Sequence, residues 1–398
     1  MPIMQKRSYT LSLATPAFLG GALQSAEWRT PPLKALLREW WRVAVAREAA
    51  YDIATLKARE TSLFGTAADE GNAKNEQSRI RLALKNWPEG KLTQWPDSEP
   101  RVTHQEVKDR NTGKPRQVGA ELYLGYGPLQ HREGRTHLND DPHRTALFCD
   151  QENVLALAFP STDETDLTRA LTLIHWFGTI GGRSRNGWGS LHLRASRDSP
   201  VLSDLSRVAL EMTNCLLPIA DCLSRDWPHA VGLDKDGPLV WQSNLSFNDW
   251  RDALSFLAKT KIDFRTEPAA MSFAGKADGM VGGRHLLGYP VTHHAVGGHV
   301  PDKSMTGWVE RLPNGRAKED RQGYIVQAGR LAGQIRFKVL KTASGLQVQI
   351  AHLPTRPHKQ MLDKLTHRDR EALMTNQLDT WQQVHRHLDA QATLTRLR

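Results

Sequence analysis

The 398-residue chain predicts an α+β fold whose first half is ferredoxin-like (RRM-like) and whose second half repeats the theme more loosely. Three observations carry this. Before residue 196, segments with strand and helix periodicity follow in the order strand, helix, strand, then strand, helix, strand. The last helix and the last strand of that series are separated by a loop with five glycines between Gly178 and Gly189. The length suits two or three domains of about 150 residues. SRDSP at 196–200 interrupts the pattern, which places the division at 1–198 and 199–398.

The first strand is predicted from Tyr9, Leu11 and Leu13, which alternate with Ser8, Thr10 and Ser12. TPAFLGG follows as a loop. Thr30, ahead of Pro31 and Pro32, is the expected N-cap of a helix, on which Leu33, Leu36, Leu37, Trp40 and Ala44 form one apolar face. Helical character continues through YDIATLKARETSLF to Gly65, and RIRLALK (79–85) returns to strand alternation. Residues 86–150 read as long insertions, with ELYLGYG (121–127) as one short strand. VLALAF (154–159) is a buried strand, TDLTRALTLIHWF a helix, and Leu191 and Leu193 mark the closing strand. In the second half the pattern predicts a helix around 204–225, a strand PLVWQ (238–242) and a helix from Asn248 carrying Trp250, Leu254 and Leu257. It then predicts a hairpin over 335–350 and a C-terminal amphipathic helical region with Leu365, Leu373, Trp381 and Leu388.

Composition narrows the function classes. Lys and Arg number 53 against 43 Asp and Glu, a formal charge of +10, which suits a polyanionic partner such as nucleic acid. Twelve tryptophans add a capacity to stack on unpaired bases. No apolar run approaches the roughly 18 residues of a membrane span, and the N-terminus lacks a signal-peptide core, so a cytoplasmic chain is expected. Cys149, Cys215 and Cys222 have neither the number of a disulfide framework nor zinc spacing.

Two motifs point to nucleic-acid chemistry. Lys34, Arg38 and Arg42 recur every fourth residue with Trp41 beside them, a basic stripe that can track phosphates next to a stacking ring. Gly181, Gly182, Arg183, Ser184, Arg185, Asn186 and Trp188 place phosphate donors and an aromatic on a backbone free to approach a ligand. The loop follows a helix and precedes a strand, the reverse of a Rossmann turn, and it lacks the Lys-Ser/Thr of a P-loop. Histidines 131, 137, 143, 285, 293, 294 and 299 have no metal-ligand spacing and read as hydrogen-bonding loop residues; Asp140 and Asp141 read as solvated. No catalytic residue, metal or cofactor is assigned.

TPAFLGGA, PPLKALLREWWR, LFG (63–65) and FGTIGGRSRNGWGSL, in this order, resemble the signature blocks of the RAMP superfamily of type III CRISPR–Cas systems. Within it they are similar to the family of subunit one of the type III-B (Cmr) complex. RHLLGYP (284–290) extends the likeness softly into the second half and adds Arg284 and His285 to the candidate RNA contacts. Glu39 stands where the family tends to have an aromatic, and RQGYIVQAGRLAG replaces an expected Arg-x-Ser-Pro block. The resemblance implies two tandem ferredoxin-like domains and a subunit without nuclease activity. The implied partners are guide CRISPR RNA, target RNA and other Cmr subunits, with no membrane or small-molecule substrate. Two other readings are a guide-RNA-processing endoribonuclease using a histidine such as His285 without metal, and a scaffold that binds acidic proteins.

Overall fold

The computed structural model describes residues 3–21, 25–66, 76–109, 111–139, 145–149, 151–202, 212–271, 283–288, 331, 333–363, 365 and 367–398. The first half opens with β1 (Met4–Leu13), α1 (Thr30–Val45), α2 (Ile53–Phe64) and β2 (Arg81–Leu84). The insertion contains β3 (Arg101–Lys108), β4 (Pro115–Gly119), α3 (Ala120–Gly125), β5 (Leu129–Arg132) and β6 (Arg135–Leu138). β7 (Asn153–Pro160), α4 (Glu164–Phe177) and β8 (Leu191–Ala195) complete the half. β2, β7, β1 and β8 form one antiparallel sheet in that order, with Tyr9 opposite Leu155 on one side and Ala195 on the other. The apolar faces of α1 and α4 cover the sheet, and Trp40 stacks on Phe177 at 5.6 Å.

The second half runs β9 (Leu216–Pro218), α5 (Ile219–Cys222), β10 (Val231–Asp234), β11 (Gly237–Pro238), β12 (Val240–Ser243), α6 (Trp250–Thr266) and α7 (Gly283–Leu287). It ends with β13 (Ile335–Thr342), β14 (Gly345–His352), α8 (Lys359–Leu362), α9 (His367–Asp389) and β15 (Leu394–Arg396). Its main sheet is ordered β13, β14, β12, β15 and is antiparallel. Counted within each half, both sheets have the order second, third, first, fourth. The fold is therefore mixed α and β with several antiparallel sheets.

Local chemistry accounts for most boundaries. Asp52 accepts the Thr55 amide at 2.7 Å to start α2, and Gly65, at φ +74°, ends it. Asp249 accepts the Arg251 amide to start α6. Three expectations need correction. The residue capping α1 is Arg29, without a side-chain bond, and Thr30 is already helical. Pro31 and Pro32 still sit in the first turn, where a missing N–H costs nothing. ELYLGYG is mostly helix, because Ala120 and Leu124, four apart, both enter the core, and Glu121 is buried with Trp95 Nε1 and Arg251 Nε donating to it at 2.7 and 2.5 Å. Such a period cannot show itself in seven residues. In the stretch expected as a helix at 204–225, residues 203–211 lie outside the described residues; the rest holds β9 and only the four-residue α5.

The two halves share a buried seam. Ile335–Leu340 of β13 are all buried. The Phe337 amide donates to the Arg185 carbonyl at 3.1 Å, and the Val339 amide donates to Ser190 Oγ at 2.9 Å. The Lys338 ammonium crosses the seam to donate to the Ile174 and His175 carbonyls at 2.8 and 2.5 Å. Those carbonyls end α4, where the helix dipole favours a cation.

Candidate nucleic-acid interface

The basic stripe of α1 forms, but its charge is partly neutralised from within. Arg38 Nε and Arg42 Nη2 donate to Glu60 Oε1 of α2 at 2.7 and 2.6 Å, and Arg42 Nε reaches Oε2 at 2.5 Å. Glu60 is buried, whereas the two arginine side chains remain 39% and 40% exposed. One carboxylate thus fixes two guanidinium forks and leaves an excess positive charge at the surface. The arginines hold the Glu60 carboxyl below its ordinary pKa against the upward pull of burial. Lys34 donates to the Phe64 carbonyl at 2.9 Å, at the C-terminus of α2. Burial, helped by Arg38, lowers the pKa of that ammonium.

Trp41 is 2% exposed and packs edge-on against Phe64 at 5.6 Å. It is a core residue and offers no ring face to a base, contrary to the sequence reading. Trp188 is buried too, inside a cluster with Phe18, Trp95 and Trp250 at 5.1 to 5.9 Å. Among the described residues Trp87 is the only exposed tryptophan, so the high tryptophan content serves mainly the cores.

The glycine-rich loop lies on the seam. Gly181 (φ +94°) comes so close to Phe18 that a Cβ would sit 2.7 Å from its carbonyl oxygen, and at Gly189 (φ +63°) a Cβ would sit 1.9 Å from the Ile180 oxygen. Gly189→Ala is expected to cost about 3 kcal/mol, read as a shifted urea midpoint, because backbone rather than a yielding side chain blocks the methyl. Gly182 bridges to Phe18, its amide donating at 2.8 Å. The Ser184 carbonyl accepts the Gly187 amide at 3.0 Å, which closes the turn. Asn186 donates to the Leu124 carbonyl at 2.7 Å and accepts from Lys261 Nζ at 2.8 Å. Arg185 donates to the Gly333 carbonyl at 2.8 Å. Arg183, at φ +55°, is exposed and donates from Nε to the Tyr126 carbonyl at 2.5 Å.

Glu39 joins loop and helix. It pairs with Arg336 of β13, whose guanidinium lies 5.4 Å over Trp40. Arg185 and Arg42 both act on its carboxyl, and together with Arg336 they hold it ionised against the opposing effect of burial. Burial and the neighbouring Arg336 lower Arg185 to about 10. Arg42 of the α1 stripe and Arg185 of the loop thus act on one carboxylate, Glu39, which the sequence flagged only as a departure.

Arg284 and His285 are buried in α7, not surface contacts. Arg284 pairs with Glu106 of the insertion and donates to the Met271 carbonyl at 2.8 Å. His143, His293, His294, His299, Asp140 and Asp141 lie outside the described residues. Among the described residues no three His, Cys, Asp or Glu side chains gather to hold a metal ion. No described helix is long and apolar enough to cross a membrane. Burial pushes the Cys215 and Cys222 thiols up to about 12, so neither is a nucleophile near neutral pH. Two residues escaped the sequence reading. Tyr126 is an exposed aromatic (57%) beside Arg183, and Lys261 approaches the loop from α6. The YG pair before Pro128 hinted at the first; nothing local marks the second.

Residues 10–192 match the RAMP superfamily. A curated relative, CRISPR system Cmr subunit Cmr1-1 of Pyrococcus furiosus, is 29% identical over 183 residues, 45% of this chain and 44% of that protein. The match therefore spans less than half the length of that relative. Among solved structures, the apo crystal structure of Cmr1 from Pyrococcus furiosus aligns over 94% of this chain and 96% of that one, at TM-score 0.40 and 14% identity. A chain of the type III-B Cmr-beta complex bound to cognate target RNA aligns over 94% and 99%, at TM-score 0.45 and 12% identity.

Proposed function

Starting from a chain that carries a RAMP-superfamily segment at residues 10–192 and resembles Cmr1, we propose that it is a non-catalytic RNA-binding subunit of a type III-B CRISPR ribonucleoprotein. It contacts the 3′ region of the guide RNA, the paired target RNA, or both, and other Cmr subunits are its protein partners. The two sheets of equal strand order are tandem ferredoxin-like domains, divided near residue 198. The observation that carries the reading is that the segment matching the RAMP superfamily contains both the partly exposed Arg38–Arg42 pair and the exposed Arg183, with Glu39 under the influence of Arg42 from the helix and Arg185 from the loop. A surface that presents cations from a helix and a loop, and few side chains suited to reading bases, contacts phosphate and sugar and leaves sequence recognition to base pairing. The catalytic rival drew on a histidine such as His285, and that side chain is buried.

The test is filter binding of a single-stranded RNA of about 40 nucleotides across a salt series, with gel analysis of the recovered RNA. Steep salt dependence with intact RNA is expected. Arg38→Ala with Arg42→Ala lowers the slope of log K against log salt by about one to two units. An unchanged slope removes α1 from the interface, and cleaved RNA reassigns the chain to a nuclease.

A further inference from the structure

The sheet of the first half is covered on one side only. Tyr9, Leu11 and Leu13 turn toward α1 and α4, so the alternate residues of its strands face the other way, where Ala83 and Ala156 are exposed. Strand pairing lays that face out in rows. Arg81, Ala158 and Lys6 form one row, and Ala83, Ala156 and Ser8 the next. Lys85, whose amide donates to the Val154 carbonyl at 3.0 Å, forms a third with Val154, Thr10 and Arg194. A strip of small side chains therefore has Arg81 and Lys85 along one flank and Lys6 and Arg194 along the other. These cations are exposed, and none of them forms an ion pair among the described residues. No carboxylate stands in the rows; Glu152, two residues before Val154, lies beyond the last of them. At that end Lys341 of β13 donates to the buried Ser12 hydroxyl at 3.2 Å. At the other end Met4, opposite Pro160, is 45% exposed.

We infer that this open face docks an acidic α-helix of a partner protein, with small or apolar residues seated on the alanine strip and Asp or Glu along both flanks of the helix. Charge is the first argument: cations of one sign, without internal partners, complement a surface of the opposite sign. Width is the second. Lys6 and Arg81 are two strands apart, about 10 Å at the usual strand spacing, which is about the diameter of an α-helix. Alanine contributes little to a strand that faces water, but it lets a helix backbone come close. The third argument separates protein from RNA. Open sheets that bind single-stranded RNA stack its bases on aromatic rings. No Phe, Tyr or Trp stands in these rows, and the His192 ring beyond them lies against His175 at 4.7 Å. The inference goes beyond the RNA-binding reading, because the face is on the side of the sheet away from α1, which carries Arg38 and Arg42.

The probe is a fluorescein-labelled helical peptide of about 20 residues, long enough to cross the sheet, with an alanine and leucine stripe between two rows of glutamate. Its anisotropy is measured with the full chain, beside a twin that has lysine for every glutamate. The wild type is expected to bind the glutamate peptide about tenfold more tightly than the twin, and less tightly as salt rises. Lys6→Glu with Arg81→Glu reverses that preference, a result that an unfolded variant cannot give. Ala156→Arg adds a cation where the helix must lie, and so weakens the glutamate peptide about tenfold despite the gain in positive charge. Equal affinity of the wild type for the two peptides overturns the inference. So does an Ala156→Arg variant that binds as well as the wild type, since charge alone then accounts for the binding. Binding of single-stranded RNA by the same variants keeps the two readings apart. RNA affinity near that of the wild type is expected for Lys6→Glu with Arg81→Glu. Its loss, without a peptide preference in the wild type, assigns the face to RNA and overturns the inference while the RNA-binding reading stands. Absence of RNA binding with the peptide preference intact overturns the RNA-binding reading alone.

Discussion

Glu39→Ala lowers the unfolding free energy by about 3 kcal/mol, the cost of leaving a largely buried guanidinium without its partner. Arg336 is only 7% exposed at its side chain, lies against Trp40 and has Arg185 as its neighbour. Removing Glu39 leaves Arg336 and Arg185 facing each other across the seam. The deficit belongs to the interface between the halves, because Glu39 is on α1 and Arg336 on β13, 297 residues apart. Urea denaturation of the single variant, and of the swapped pair Glu39→Arg with Arg336→Glu, checks this. The swap recovers part of the loss if the ion pair is responsible. A single variant within about 0.5 kcal/mol of wild type would show that the pair is neutral in sum, its attraction cancelled by desolvation.

Acidification has a comparable effect through buried histidines. His352 Nδ1 and His385 Nε2 lie 2.9 Å apart in the core of the second half, with the Trp381 ring 4.1 Å from that of His352. Burial drives His352 well below its ordinary value and His385 to about 3. Across the seam, burial together with Lys338 depresses His175 to about 3 and His192 to about 4. Each folded-state pKa lies below that of the unfolded chain, so between the two values the unfolded state binds more protons. The histidines therefore contribute their full stability above about pH 6.5 and lose it as pH falls, His385, His175 and His192 toward about 3 to 4. Each costs about 1.4 kcal/mol per pH unit within that window. Midpoints of urea unfolding from neutral pH to about pH 5 should fall steeply, and His385→Gln should flatten the slope by about one histidine's share. A wild-type midpoint constant across this range would contradict the burial of these rings in their neutral form.

The elements with sustained period were readable. Tyr9, Leu11 and Leu13 alternate because one face of β1 packs under α1 and α4, and the 3.6-residue repeat of Leu33, Leu36, Leu37 and Trp40 reports the same packing from the helix side. ELYLGYG was misread because a two-turn helix is too short to display its period, and because the buried carboxylate of Glu121 is satisfied by Trp95 and Arg251, 26 and 130 residues away. The candidate site was readable only as residue types. Basic spacing on α1 and glycine with arginine on the loop marked the right segments, but Trp41, Trp188, Arg284 and His285 turned out to be buried.

By itself the chain's order of amino acids determined the succession of strands and helices in the first half outside the insertion at 86–150, the position of the glycine-rich turn and the cationic character of α1. Those follow from periodicity, backbone freedom at glycine and charge, which are local properties. Only the tertiary structure decided which cations keep a free face. Arg38 and Arg42 share Glu60 of another helix, Arg336 takes Glu39 from the other half, and Lys261 reaches the loop with an amide as its partner. Whether an ionisable side chain is paired, buried or available depends on groups far apart in sequence, and the low dielectric between them makes that arrangement decisive.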